Sequence, residues 1–98
     1  MSVLEFTGEV WEWRGPAPYH VVSVPSELCE DVRDAGEVVS YGWGMVPVVV
    51  RLGETRWTTS LWPKDGGYVV PLKDAVRAAE GVELGDVVTL RMEFNSDV

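Results

Sequence analysis

The chain has 98 residues, enough for one domain and too few for two. Hydrophobic residues make up 46% and charged residues 24%, a balance that excludes a disordered chain, and no run approaches the roughly 18 apolar residues of a membrane span. The formal net charge of −8 disfavours non-specific nucleic-acid binding, because that affinity comes from neutralising phosphates.

Charge is unevenly spread. Residues 1–37 and 80–98 are strongly acidic, while the middle carries Arg51, Arg56, Lys64, Lys73 and Arg77 against Glu54, Asp65 and Asp74. Met1 to Glu5 lacks the basic start and apolar core of a signal peptide, so the expected compartment is the cytoplasm. Cys29 is the lone cysteine, which excludes an internal disulfide and a cysteine-rich metal site.

Leu4, Phe6, Gly8 and Val10 alternate with Glu5, Thr7 and Glu9, the pattern of a half-buried strand. Gly15-Pro16-Ala17-Pro18 breaks the ladder into a loop, and Tyr19 to Val24 predicts a second strand. Ser26 can cap a helix over about 26–35, with Leu28, Val32 and Ala35 on one stripe and Gly36 as its stop. Val38–Trp43 and Val46–Leu52 predict two strands. Gly53-Glu54 turns into a strand over Thr55–Leu61, and Pro63 to Gly67 is a strong turn before a short strand over Tyr68–Val70. Pro71 opens a second helix over about 72–80, with Leu72, Ala75, Val76 and Ala79 at helical spacing and Gly81 as its stop. Gly85-Asp86 leads into the last strand, Val87–Phe94, and 95–98 are expected to fray. Seven short strands with two short helices predict a mainly β fold, a barrel or compact sandwich.

Several of these segments together resemble a known family. They are Phe6-x-Gly8, Tyr19-His20-x-x-x-Val24-Pro25, Thr59-Ser60-Leu61-Trp62-Pro63 to Gly66-Gly67, Val70-Pro71-Leu72-Lys73 through Gly81, and Gly85-Asp86-x-Val88. The chain resembles the small bacterial family called domain of unknown function 1905, over nearly its whole length. That resemblance implies a small split β-barrel and no particular activity. Pro71 to Val88 also resembles the AbrB/MazE group of swapped-hairpin barrels, which implies a homodimer and, in many members, DNA binding.

Five tryptophans stand out in so short a chain. Trp11 and Trp13 fall on the odd face of the first strand, opposite Leu4, Phe6 and Val10, while Trp43 and Trp62 sit beside glycine-rich turns. Two readings stay open: these rings seal the barrel or a dimer, or they wall an aromatic pocket or groove. Trp57, in mid-strand, is expected in the core. His20, the single histidine, is either a structural hydrogen-bonder or an acid–base group, the latter needing a partner such as Glu12 or Tyr41.

Tyr41, beside Trp43, and the cations Arg14 and Lys64 complete the candidate ligand-binding set of Trp11, Trp13, Arg14, His20, Tyr41, Trp43, Trp62 and Lys64. No metal site and no cofactor are expected. The preferred function is a non-catalytic module for a small molecule or a protein partner, with no membrane. The alternatives are a small enzyme using His20, and an AbrB-like DNA-binding dimer needing a basic face from Arg51, Arg56, Lys73 and Arg77.

Overall fold

The computed structural model describes residues 2–14, 18–39 and 45–94, and the side chains of 3–14, 18–34 and 45–94. Alternation along the strands builds the core. In β1 (Ser2–Arg14), Phe6 and Val10 are buried while Glu5, Thr7 and Glu9 face solvent. The same rule buries Val46, Val48, Val50 and Leu52 of β3 (Val46–Leu52), and Trp57 and Leu61 of β4 (Thr55–Lys64). Leu90, Met92 and Phe94 of β6 (Val87–Phe94) complete the filling with Val22 of β2 (Pro18–Ser23) and Val70 of β5 (Gly67–Pro71).

The strands close into a barrel in the order β1-β2-β5-β4-β3-β6, every neighbouring pair antiparallel. Closure between β4 and β5 is narrow, running through Trp62 to Lys64 only. Gly8 stands where a Cβ would come within 2.8 Å of Val22 Cγ1, so β1 and β2 approach closely there. The turn between β4 and β5 places Asp65 and Gly66 at φ of 51° and 80°, the left-handed pair of a tight two-residue hairpin.

The small, mainly β barrel with two short helices is as the sequence predicts, but the count of strands differs. Six strands occur among the described residues, where seven were expected. Val38 and Val39, predicted to start a strand, end helix α1 (Ser26–Val39) instead, and residues 40–44 lie outside the described residues. Gly36 fails as a stop because glycine inside a helix costs only about 1 kcal/mol, which tertiary packing can offset.

The second helix, by contrast, is shorter than expected. Pro71 closes β5, the Leu72 amide donates to the His20 carbonyl at 2.9 Å, and Lys73 stays extended (φ −70°, ψ 150°). Helix α2 therefore spans Asp74–Glu80 and ends at Gly81 with φ of 63°, as the sequence suggests. It packs on β4, where Thr55 Oγ1 donates to the Glu80 carboxylate. The expected tail at 95–98 lies outside the described residues. Among the described residues no helix is long and apolar enough to cross a membrane.

Candidate functional site

β1 runs on past its pairing with β6, which ends at Glu9, and continues with β2 as a ribbon from Val10↔Val22 to Arg14↔Pro18. Alternation along this ribbon sorts its side chains. Trp11, Trp13, Tyr19, Val21 and Ser23 share the outer face, and Glu12, Arg14 and His20 share the other. β5 and β4 extend the outer face through Val69 and then Trp62, which is registered opposite Val69.

Two buried residues reveal a second apolar layer. Val21 is fully buried and Val69 is 3% exposed, yet neither belongs to the core cluster inside the barrel. Outer-facing valines this dry need a cover, and register sets Trp11 beside Val21 and Trp62 beside Val69. Trp62 meets Trp13 edge-on with centroids 5.5 Å apart, and meets Tyr19 edge-on at 4.8 Å. Trp11 is fixed by its indole N–H, which donates to Ser23 Oγ at 2.9 Å. Lys64 Nζ lies 5.2 Å from the Trp13 ring centroid and 6.0 Å from that of Trp11, and also donates to Asp65 at 3.1 Å. A cleft of about 210 Å³ opens beside this group, lined by Trp11, Ser23, Lys64, Asp65, Tyr68 and Val69 among others.

The structure thus brings together Trp11, Trp13, Trp62 and Lys64. Tyr41 and Trp43 lie outside the described residues. Arg14 falls on the opposite side of the ribbon, exposed, with Nε donating to Glu12 at 2.8 Å. His20 is registered opposite Glu12 but lines a separate cleft of about 600 Å³ with Arg77, Val82, Glu83 and Leu84. Among the described residues its imidazole bonds to no carboxylate or phenol, while its carbonyl is held by Leu72. Trp57 lies in the core, 8% exposed. No three His, Cys, Asp or Glu residues among those described are placed to hold a metal ion.

Sequence reasoning passed over Tyr19 and Ser23. Their signal was present: once the Gly15–Pro18 break is read as a hairpin, Tyr19 falls opposite Trp13. The DNA-binding alternative needs Arg51, Arg56, Lys73 and Arg77 on one basic face. The first two are cross-strand neighbours, and Lys73 shares a cleft with Arg56. Arg77 sits instead in the His20 cleft, ion-paired to Asp74.

This small closed barrel, with an aromatic layer outside its core, falls within a recognised class. The model of the family described as domain of unknown function (DUF1905) matches residues 6–92, and the chain belongs to that family. No curated protein matches it.

Proposed function

We propose that the chain is a non-catalytic interaction module that holds a segment of a partner protein against its outer aromatic face. The observation that supports this most is the contact of Trp13, Trp62 and Tyr19 outside the barrel core, half open to solvent beneath Lys64. Tryptophan and tyrosine are enriched at the centres of protein interfaces, where they offer large rigid area at little entropic cost.

Size favours a protein over an enclosed metabolite. The cleft of about 210 Å³ is smaller than the roughly 300–1,000 Å³ of sites that engulf small ligands. It suits one inserted apolar or aromatic side chain, with the rest of the segment lying across the rings. Lys64 then selects a neighbouring carboxylate, which competes with Asp65 for the ammonium.

Peptides selected from a random display library on the immobilised protein test this reading. Binders should shift the indole N–H signals of Trp11, Trp13 and Trp62, and should lose about tenfold in affinity on Lys64→Gln. Selected peptides that leave those signals in place would overturn it. So would a failed selection combined with a metabolite that quenches tryptophan fluorescence, which would put a small molecule on this face.

A further inference from the structure

The opposite side of the barrel carries a different oddity. Register sets Arg91 of β6 opposite Arg51 of β3, and Arg51 opposite Arg56 of β4, three arginines abreast on adjacent strands. All three are exposed, and their chain neighbours Val50, Leu52, Trp57, Leu90 and Met92 are buried, so the row is locked outward. Like charges directly opposite one another destabilise a sheet. A chain of net charge −8 has sixteen acids with which to break such a row, yet only its ends are relieved. Glu5 is registered beside Arg91, and Arg56 meets Glu93 at 3.3 Å. Among the described residues neither Arg51 nor Arg91 has an ion pair, and Arg51 Nε donates only to the Gly53 carbonyl.

Next to Arg56 lies a cleft of about 490 Å³, lined by Val49, Arg56, Trp57, Thr58 and Lys73. Lys73, brought from the far side by the extended link into α2, also lacks an ion pair among the described residues. Trp57 borders the same cleft, but its side chain belongs to the barrel core, more than nine-tenths buried, and its indole N–H has no acceptor among the described residues.

We propose that this cleft and the adjoining arginine row bind a small phosphate-bearing metabolite. The guanidinium forks of Arg56 and its cross-strand neighbour Arg51, the Lys73 ammonium and the Thr58 hydroxyl outnumber what a carboxylate's two oxygens can accept. A phosphate offers three oxygens and close to two negative charges. The cleft falls in the size range of small-ligand sites. The overall acidity weighs little against this, since charges beyond roughly 8 Å are screened at physiological ionic strength. The residues concerned are separate from the aromatic face, so the two readings stand or fall independently.

Pyrophosphate, titrated into ¹⁵N-labelled protein at constant ionic strength, is the direct probe. The Trp57 indole signal and the Thr58 and Lys73 amides are expected to shift together and to saturate. Lys73→Gln and Arg51→Gln should each weaken binding by about tenfold. Arg33→Gln, the same charge change on exposed α1, should not. No saturable shift at millimolar pyrophosphate would overturn the proposal, as would equal weakening by Arg33→Gln. Tighter, steeply salt-dependent binding of duplex DNA would also overturn it, by making a nucleic-acid backbone the ligand.

Discussion

On one side of the barrel the outward rings of Trp13, Tyr19 and Trp62 on β1, β2 and β4 meet edge-on; on the other, the outward Arg91, Arg51 and Arg56 of β6, β3 and β4 stand abreast and repel. Trp11 and Trp62 are registered beside the buried Val21 and Val69, so an aromatic cover there stabilises the barrel whether or not anything docks on it. The arginine row has no such return, and its presence is harder to explain by stability alone. In the two proposals, contacts that hold the fold and contacts that would serve a ligand therefore overlap on the first face and separate on the second.

Neighbouring residues of β4 give the largest contrast. Leu61 is fully buried inside the barrel, and Leu61→Ala should cost about 3 kcal/mol in urea unfolding. Trp62 is next in sequence, points outward and stays half exposed, and Trp62→Ala should cost about 2 kcal/mol. A cost near zero would mean that the outer layer is not packed.

Val21 and Val22 sharpen the same point, since both are fully buried but on opposite faces. If the aromatic cover is as tight as the core, Val21→Ala and Val22→Ala should each cost about 2 kcal/mol in the same assay. A much smaller cost for Val21→Ala would show a loose cover. Gly8→Ala pushes a methyl against Val22 and should cost about 1–2 kcal/mol through overpacking.

The smallest effect has the opposite sign. Arg51→Thr removes the centre of the arginine row and should raise stability by about 0.5 kcal/mol at low salt. The gain should shrink as salt is added, because screening already weakens the repulsion.

Strand faces were legible in the sequence wherever apolar and polar residues alternate, as in β1 and β6, because a period of two has one meaning in a sheet. The fate of Val38-Val39 was not, since a short valine run suits either a strand or the end of a helix and packing decides. The separation of Trp11 and Trp13 from the core was also readable. Their meeting with Trp62 needed the barrel order, because β5 and β2 stand between β4 and β1 on that side of the barrel. His20 and Arg14 looked like neighbours of those rings in the chain, but alternation sends them to the other side of the ribbon. The arginine row was invisible for a related reason. Arg91 is far along the chain from Arg51 and Arg56, and only the β3–β6 register aligns them.

The central claim is that the aromatic face serves a partner beyond supporting the barrel. Lys64 separates the two roles, because its ammonium lies over the Trp13 and Trp11 rings and is ion-paired to the exposed Asp65. Unfolding stability and peptide affinity should therefore be measured on the same samples of wild type and Lys64→Gln. Affinity is expected to fall about tenfold while stability changes by less than about 1 kcal/mol. Unchanged affinity for peptides that contact Trp13 and Trp62, with the loss appearing in stability alone, would contradict it.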